Sequence, residues 1–540
     1  MQARPAHTYL TIGDQVREAA RAYPDRNWIV TRERGVTFGE MDRLSDKLAH
    51  GLTALGIGRG DTVLAMLPNT IDFVTVFCAL GKMGSLQVPV NIAYKGGILR
   101  HIVNDSAARA MIVDRGFIER LEFLADELEH VQTLIVYAEG GTVAEDATLP
   151  TRLAKRCSAV RFEDVFAGTS EAFERKTFHH DLMGVLYTSG TTGPSKGVMT
   201  TNAQCYNYAA GAIQCGFLGE GDVYYAPLPL FHIGGMWGVI YASCIAAATA
   251  VLIPSFSVSR FWQDVDDYGI TCAFLLGAMV NFVYKLPRRP EDADTSLRHV
   301  LMAPVIPQVD DFMERFGCKV WTAYGQTEAS CPIYGNGTPP NSDTCGRLAS
   351  DQFELRVVDD NDLEVPDGTI GELVVRSRDP WVLMAGYWKN PEATVVAWRN
   401  QWLHTGDLMK RDADGWYYFV DRKKDALRRR GENISSVEVE NEINAHPDVV
   451  ESAVIPVLAD DAEQEVMAMV VRRAGTELGY EELTRFLEPR MAYFMVPRYL
   501  EFRDELPKTP TGKIQKNLLR DQGRGVSTWD REAAGLKLTR

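Results

Sequence analysis

The feature that most constrains the fold is a short apolar run leading into a stretch rich in Gly, Ser and Thr. Residues 182–187 predict a buried strand, the polar stretch extends to Gly197, and a helix is predicted from Asn202. Glycines let several backbone N–H groups converge on one anion, and hydroxyls and a lysine add donors. The stretch therefore predicts a phosphate-binding loop, with a flexible surface loop as the alternative.

The spacing within this loop excludes a Walker A motif. That motif needs four residues between its first Gly and its Gly-Lys pair. Here only two residues lie between Gly190 and Gly193, and Lys196 follows a serine. The loop must belong to another class of phosphate site.

Length and composition narrow the classes of protein that remain. A chain of 540 residues is long enough for three or four compact units, and its net charge of −15 argues against binding to nucleic acid or anionic membranes. We expect neither a secretory signal nor a membrane span. The nine cysteines are scattered without a C-x-x-C pair, which predicts reduced thiols, a cytoplasmic location and no structural zinc.

The first part of the chain alternates between strand and helix patterns, which indicates parallel sheets covered by helices. Thr37 and Glu40 predict a capping box at the start of a helix. Pro89 lacks a backbone donor, so its strand is expected at a sheet edge or a bulge. Residues 140–168 are polar and are expected to be irregular and on the surface.

The later part of the chain has a different pattern. Short alternating strands at residues 353–376 predict a small antiparallel subdomain. The fold class is therefore α/β, with a large N-terminal domain of mostly parallel, helix-flanked sheets, this subdomain, and a small α+β C-terminal domain. The predicted boundaries are residues 1–421 for the large domain and 431–540 for the small domain, and residues 422–430 between them are the hinge region that the family resemblance described below implies, with a mobile small domain.

Several motifs in a fixed order carry a resemblance to a known family. They lie at residues 187–197, 320–328, 404–407, 421–434 and 507–516. Together they resemble the adenylate-forming (ANL) superfamily of acyl-CoA synthetases, adenylation domains and luciferases, over residues 10–519. Residues 430–435 resemble carnitine/crotonobetaine-CoA ligases most. The family's glycine-rich turn is absent near Ala303, so no adenine contact is assigned there.

The resemblance implies roles for the motif residues toward ATP and Mg²⁺. Glu328 is implied as the Mg²⁺ ligand, Asp407 and Arg422 as ribose contacts, and Tyr324 as a stacking face for the purine. The implied catalytic residues are Lys513, Thr327, Glu328 and His232. The full implied ATP site comprises Thr188, Ser189, Gly190, Thr191, Thr192, Gly193, Lys196, Tyr324, Gly325, Thr327, Asp407, Arg422 and Lys513.

The resemblance also implies an acyl pocket, a CoA route and a hinge. The acyl pocket is assigned to His232, Met236, Trp237 and Ala323, although a lone His is also common as a structural residue and core packing explains the bulky pair equally well. Gly431 and Glu432 are assigned to CoA, and Lys424 to the hinge. Lys508 and Lys516 are expected to face solvent.

These assignments predict an ATP-dependent acid–thiol ligase. It activates a small carboxylic acid as acyl-AMP, releases pyrophosphate and transfers the acyl group to coenzyme A. The alternative is a biosynthetic adenylating enzyme that passes acyl-AMP to a carrier protein, an amine or another nitrogen acceptor. The sequence leaves the acid and the oligomeric state open, with a homodimer as one option.

Overall fold

The computed structural model of the protein describes residues 10–138, 148–166, 169, 171–174, 177–188, 195–423, 427–429, 432–434, 436–458, 464–491, 493, 495–509 and 512–538. The chain divides into two compact units. The first comprises Met1–Arg356, Val374–Thr405 and Asp414–Tyr417, and the second comprises Val357–Leu373, Gly406–Ala413 and Tyr418–Arg540. The domain and hinge boundaries expected from the sequence remain predictions.

Helices of the first unit, within its described residues, are α1 Ile12–Ala22, α2 Phe38–Ala54, α3 Ile71–Met83, α4 Gly96–Asp105, α5 Ile118–Phe123, α6 Phe162–Val165, α7 Asn202–Gln214, α8 Ile233–Gly235, α9 Ala242–Ala246, α10 Phe261–Tyr268, α11 Gly277–Tyr284, α12 Val309–Phe316 and α13 Pro391–Ala397. A π-helical turn, Met236–Tyr241, joins α8 to α9.

Strands of the first unit are β1 Asn27–Val30, β2 Gly35–Thr37, β3 Thr62–Met66, β4 Leu86–Pro89, β5 Ala110–Asp114, β6 Thr133–Tyr137, β7 Ser158–Arg161, β8 Leu182–Thr188, β9 Lys196–Thr201, β10 Val223–Ala226, β11 Thr249–Leu252, β12 Cys272–Leu276, β13 His299–Ala303, β14 Lys319–Gln326, β15 Ser330–Tyr334, β16 Thr344–Leu348 and β19 Gly386–Tyr387. Four more strands contain residues of both units: β17 Phe353–Val358, β18 Gly371–Ser377, β20 Leu403–Arg411 and β21 Trp416–Arg422.

Two sheets form the framework of the first unit. One has the order β16-β15-β14-β13-β12-β10-β11-β1-β2, and the other has the order β19-β9-β8-β4-β3-β5-β6-β7. The pairs from β14 through β1 are parallel in the first sheet, as are those from β8 through β7 in the second. Antiparallel pairs flank the parallel strands on both sides in the first sheet and, through β9 and β19, on one side in the second. The expected α/β architecture is confirmed.

The capping box at α2 is confirmed in atomic detail. The Glu40 backbone N–H donates to Thr37 Oγ1 at 3.1 Å, and the Thr37 N–H donates to Glu40 Oε2 at 2.9 Å. The expected edge position of the Pro89 strand is wrong, because β4 pairs with both β3 and β8. Pro89 is the last residue of β4, and it is the N–H of Val90 that donates to Ala65, at 2.8 Å. The missing proline donor therefore does not interrupt the sheet.

The first unit completes one further expectation and corrects another. The helix expected from Asn202 is confirmed, but a strand that sequence reasoning missed, β9, lies between the phosphate loop and that helix, so the loop joins the strands of a hairpin. Residues 148–166 are not simply irregular, since they contain β7 and α6. Phe162 and Val165 of α6 are buried because residues three apart share one helix face. The rest of that polar segment lies partly outside the described residues.

The second unit contains its own layers of helix and sheet. Its elements are β22 Leu427–Arg429, β23 Glu432–Ile434, α14 Ser436–Asn444, β24 Val449–Leu458, β25 Gln464–Arg472, α15 Tyr480–Leu487, β26 Tyr499–Arg503, α16 Lys516–Gln522 and β27 Trp529–Asp530. The sheet order is β24-β25-β26-β27, and β22 pairs with β23. Among the residues described for the whole chain, no helix combines the length and apolar character that a bilayer crossing requires.

Candidate active site

The two ends of the phosphate loop face each other across the β8–β9 hairpin. Thr188 and Lys196 are cross-strand partners in this antiparallel pair. Five loop residues assigned to ATP, Ser189, Gly190, Thr191, Thr192 and Gly193, lie outside the described residues. The structure therefore describes the base of the loop, and the roles of these five residues remain predictions.

Glu328 is the point at which three distant segments of the first unit meet. Thr188 Oγ1 donates to Glu328 Oε1 at 3.5 Å, and the Tyr387 hydroxyl donates to the same oxygen at 3.2 Å. Burial, and next the Glu328 carboxylate, raise the pKa of Tyr387. Lys196 Nζ lies 4.9 Å from the centroid of the Tyr387 ring, within cation–π range.

Tyr387 was missed by sequence reasoning. It occupies β19, whose residues Gly386 and Tyr387 pair with Met199 and Val198 of β9. A two-residue strand carries almost no periodic signal, and nothing in the sequence links it to position 328. The nearest hint was an aromatic residue directly after a glycine, which is too common a pattern to assign.

The motif at residues 320–328 forms a tight connection between β14 and β15. Gln326 pairs with Ser330, so residues 327–329 make the turn. A Cβ added to Gly325 would lie 2.5 Å from the Ser330 carbonyl oxygen, and this close approach explains why glycine stands there. The backbone carbonyl of Thr327 accepts a hydrogen bond from Gln204 Nε2 at 2.8 Å. Tyr324 is 9% exposed and packs within the strand pair.

Three of the residues assigned to the acyl pocket lie at or just after the start of α8, beside aromatic side chains. His232 is exposed and caps α8, its Nδ1 accepting from the Gly234 N–H at 3.4 Å. Met236 and Trp237 follow in the π-helical turn and are buried. The Trp237 ring meets the edge of Tyr208, with their centroids 5.8 Å apart.

Two glycines and a further ring complete this apolar environment. A Cβ added to Gly238 would lie 3.3 Å from Tyr208 and 3.8 Å from Phe274, and one added to Gly234 would lie 3.6 Å from Phe274. Ala323, assigned to the same pocket, is partly buried against the main core of the first unit. Burial raises the pKa of Tyr208.

Asp407 and Arg422 form an ion pair in the second unit. Arg422 Nε lies 2.9 Å from Asp407 Oδ1, and the Asp407 side chain is 1% exposed. The adjacent Lys423 pairs with Asp360 at 3.0 Å and with Glu372 at 3.1 Å. Each of these cations therefore has a carboxylate partner within its own unit.

Lys513 is exposed in a loop closed by its own backbone. Its N–H donates to Thr509 Oγ1 at 3.0 Å, and its carbonyl accepts from the Thr509 N–H at 2.6 Å. Gly512, immediately before it, has a φ of +78°, the left-handed region that glycine adopts without strain. Lys424 and Gly431 lie outside the described residues, and only the backbone of Glu432, in β23, is described.

The expectation that Lys516 faces solvent is wrong. Its Nζ lies 2.8 Å from Glu440 Oε1, and both side chains are 14% exposed. Lys508 is 41% exposed as expected, although its Nζ lies 2.6 Å from Glu451 Oε2. Sequence reasoning could not separate the two lysines, because their partners lie on helix and strand positions far from the loop.

Comparisons with known proteins place most of the chain within two family models. The model of the AMP-binding enzyme family matches residues 16–388, and that of the AMP-binding enzyme C-terminal domain matches residues 438–513. A crotonobetaine/carnitine–CoA ligase of Salmonella heidelberg strain SL476 is 30% identical over 90% of this chain and 93% of its own length. One from Escherichia coli strain ATCC 8739 is 32% identical over 89% of this chain and 92% of its own length.

Solved structures of similar fold point to the same family. The anthranilate CoA ligase AuaEII in complex with anthranoyl-AMP has a TM-score of 0.82 and 25% identity, covering 95% of this chain and 97% of its own. ATP-bound MatB from Rhodopseudomonas palustris has a TM-score of 0.82 and 24% identity, covering 95% and 99%, which shows the fold. The family model matches well over half of the sequence. The chain therefore belongs to the AMP-binding enzyme family.

Proposed function

We propose that the residues described above divide the work of an AMP-forming acyl-CoA synthetase between two half-reactions. The chain activates a carboxylic acid with ATP and transfers the acyl group from acyl-AMP to the thiol of coenzyme A. A free carboxylate is a poor electrophile because its charge repels nucleophiles, whereas AMP is a good leaving group. The proposal rests mainly on one observation: Thr188 and Tyr387 both donate hydrogen bonds to the Glu328 carboxylate, at the base of the phosphate loop.

The first half-reaction needs positive charge and N–H donors around one phosphorus. The carboxylate oxygen attacks the α-phosphorus, the bond to the bridging oxygen breaks, and pyrophosphate leaves with the electron pair. We assign the loop at residues 188–196 to the phosphates, the Thr327 hydroxyl to the α-phosphate, and Lys513 to the charge that develops on the reacting oxygens. Such preorganised electrostatic contacts are the main source of rate enhancement for this chemistry.

The oxygens around Glu328 fit a magnesium ion. Mg²⁺ prefers hard oxygen ligands and usually takes one or two carboxylates, with phosphate and water completing an octahedron. Glu328 supplies the carboxylate, and the Thr188 hydroxyl stands 3.5 Å from it. No cluster of three or more His, Cys, Asp or Glu side chains suited to a metal occurs in the described residues. When bound, the ion neutralises phosphate charge; Tyr387 orients the Glu328 carboxylate for it.

We assign the ribose of ATP to Asp407 and Arg422. A carboxylate is the natural acceptor for two sugar hydroxyls, and the guanidinium of Arg422, 2.9 Å from Asp407, orients it. Tyr324 remains assigned to the purine, and its small exposed fraction limits that contact to one edge or face of the ring.

The aromatic wall around Trp237 supports an uncharged, compact acyl group. Tyr208, Trp237 and Phe274 present ring surfaces, and Gly234 and Gly238 leave room beside them. An apolar group gains free energy by burial against such rings. His232, exposed at the start of α8, is assigned to the open end of the pocket, where the carboxylate reacts.

The second half-reaction transfers the acyl group to a thiol. The pKa of a free thiol, about 8.5, is close enough to neutrality that no strong general base is required. We assign Gly431 and Glu432 to the route of the CoA arm and Lys424 to a pivot that changes few backbone angles between the half-reactions.

A cytoplasmic location is also proposed, since the nine cysteines, all of them described, form no disulfide.

The acceptor and the acid are tested together. Purified protein is incubated with ATP, Mg²⁺ and one acid from a panel of short alkanoates, aromatic acids, carnitine and crotonobetaine, with and without CoA. We expect AMP release to depend on both the acid and CoA, and the acyl-CoA to be detected by mass. Turnover that needs an amine or a carrier protein in place of CoA would contradict the proposal and favour the biosynthetic adenylating alternative.

A further inference from the structure

The second unit contains a buried charge cluster that the two half-reactions do not use. Lys516 is the first residue of α16 and follows Lys513 by three positions. Its Nζ lies 2.8 Å from Glu440 Oε1 and donates to the Ser436 hydroxyl at 2.6 Å. Glu440 and Ser436 both belong to α14, so one ammonium joins the start of α16 to α14.

Asp421 extends this cluster to the end of strand β21. Its Oδ2 accepts from the backbone N–H of Ser436 at 2.7 Å, and its Oδ1 accepts from the N–H of Arg422 at 2.7 Å. Glu440 also accepts from the backbone N–H of Val454, in β24, at 2.6 Å. The cluster therefore ties together β21, α14, β24 and α16, and Asp421 stands immediately before the predicted hinge region.

The ammonium of Lys516 interacts electrostatically with both carboxylates of the cluster, those of Asp421 and Glu440. Burial raises the pKa of both Asp421 and Glu440, and the ammonium of Lys516 acts in the opposite direction on each. One cation thus balances two buried carboxylates. Removing the ammonium would leave both carboxylates buried without a counter-charge, which is a costly arrangement.

Lys508, at the other end of the same loop, provides a natural contrast. Lys508 bridges to Ile514, and the Gln515 N–H donates to the Pro507 carbonyl at 2.8 Å, so the loop is closed between the two lysines. The side chains of the Lys508–Glu451 pair are 41% and 21% exposed, whereas those of the Lys516–Glu440 pair are both 14% exposed. Exposed pairs contribute little to holding a geometry, because water and salt screen them.

We propose that Lys516 is a positioning residue: held by Glu440 and Ser436, it fixes the Lys513 loop against the strand end that carries Asp421. The inference rests on the proposed role of Lys513 in forming acyl-AMP. Because α16 begins at Lys516, the position of this residue sets where the loop that presents Lys513 returns to the body of the unit. A shift of about 1 Å in a reacting group costs on the order of 10²-fold in rate.

The test compares Lys516→Gln, Lys516→Arg and the matched control Lys508→Gln in the full-length protein. Acyl-AMP formation is followed by pyrophosphate release, and thioester formation is started separately from supplied acyl-AMP and CoA. We expect Lys516→Gln to lose about 10-fold or more of acyl-AMP formation, with its thioester half-reaction within about twofold of wild type. Lys516→Arg should recover most of the loss, and Lys508→Gln should stay near wild type.

Three further measurements separate positioning from simple loss of structure. Thermal unfolding sets an assay temperature at which each variant is folded. If Lys516→Gln does not fold, Glu440→Gln takes its place, because a glutamine still offers an oxygen acceptor to Lys516 and Val454. Equal losses in both half-reactions, or no recovery with arginine, would overturn the inference.

Lys513→Ala is assayed in parallel: its failure to affect acyl-AMP formation would overturn the proposed role of Lys513 itself. A loss with Lys513→Ala but none with Lys516→Gln would overturn only the positioning role.

Discussion

The hydroxyl of Tyr387 donates a hydrogen bond to the carboxylate of Glu328 at 3.2 Å across a sequence separation of 59 residues. Tyr387 is held by its pairing with Val198, two residues after Lys196 in β9. The backbone N–H of Met384, near β19, donates to the Glu328 carbonyl at 3.0 Å. The side chain and the backbone of Glu328 are thus both fixed by the segment around β19, which ties the metal-binding candidate to the strand that leaves the phosphate loop.

Tyr387→Phe should weaken adenylation without unfolding the protein. A hydrogen bond to a charged group contributes about 1.5–3 kcal/mol, so its loss predicts a decrease of about 10-fold or more at low Mg²⁺. Glu328→Ala removes the proposed metal ligand and should cost roughly 10²-fold or more. Pyrophosphate release is measured over a Mg²⁺ titration.

Tyr187→Phe is the matched control for the loss of the Tyr387 hydroxyl. The Tyr187 hydroxyl also donates to a carboxylate, that of Asp105, at 2.5 Å, but Asp105 has no proposed role toward the metal. We expect its Mg²⁺ dependence to match wild type. Near wild-type adenylation by Glu328→Ala at low Mg²⁺ would rule out the metal role of Glu328.

Lys513→Ala and Gly431→Leu should affect opposite half-reactions. Loss of the Lys513 ammonium should abolish acyl-AMP formation, while supplied acyl-AMP and CoA should still give product. Gly431→Leu should leave pyrophosphate release intact and block thioester formation, because only a residue without Cβ leaves room for the CoA arm on the predicted route. Each half-reaction is measured separately on both variants. Normal acyl-CoA production by Gly431→Leu would mean that CoA follows another route.

Asp407→Asn should raise the KM for ATP about 10-fold with a smaller change in kcat. The reason is that a charged acceptor for the ribose hydroxyls is replaced by a neutral one, a difference on the order of 1.4 kcal/mol in binding. Arg411→Gln is the control, since Arg411 belongs to the same strand, β20, and pairs with Asp367 at 2.7 Å. Steady-state kinetics with varied ATP give both constants. An unchanged KM for ATP in Asp407→Asn would remove Asp407 from the nucleotide site.

The buried pair of Asp292 and Arg315 should make stability depend on acid pH. Arg315 Nε lies 2.6 Å from Asp292 Oδ2, and the two side chains are 4% and 5% exposed. Burial alone acts to raise the pKa of Asp292, but hydrogen bonds from Arg315 and Arg289 leave it below its ordinary value of 3.8. A depressed carboxyl pKa contributes stability that is present above the unfolded value and is lost as the pH falls through the folded value.

Asp292→Ala should therefore lower the free energy of unfolding by about 3–5 kcal/mol at pH 7, since it leaves a buried Arg315 without its partner. The difference from wild type should shrink as the pH falls below about 4, because the unfolded chain then binds a proton at Asp292 that folded wild type binds only at lower pH. Urea unfolding at a series of pH values measures this difference. Asp164→Ala, which breaks the exposed pair with Arg161, should change stability little at any pH. A gap for Asp292→Ala that stays constant down to pH 3 would contradict this account.

Local signals in the sequence predicted the framework well. The Thr37 capping box, the helix from Asn202 and the strand before the phosphate loop depend on neighbouring residues, and the structure contains all three. The prediction that β4 lies at a sheet edge was wrong, because it relied on the presence of a proline without its position in the strand. Proline limits a strand only where its missing N–H would face a partner, and that depends on its place at the strand end.

Contacts between distant segments could not be predicted in the same way. Tyr387 reaches Glu328, and Lys516 reaches Glu440, only because strand pairing and helix packing bring them together. A lysine near another lysine in a polar loop is usually solvated, so composition alone favoured the incorrect prediction that Lys516 faces solvent. The Lys516 ammonium is held by the Glu440 carboxylate and the Ser436 hydroxyl, both contributed by α14.

The pairing of Thr188 with Lys196 has a practical consequence for redesign of the chain. These partners end a ladder that extends back to the pair Leu182–Thr201, so the sheet closes the base of the intervening segment. We expect a change in the number or kind of residues between them to leave the register of β9 with β19 unchanged, because the change lies beyond the last cross-strand pair. Positions 188 and 196 thus delimit a segment suited to exchange. If this segment binds phosphate as proposed, replacing it with the segment of another family member should alter the handling of nucleotide while the Glu328–Tyr387 contact is kept.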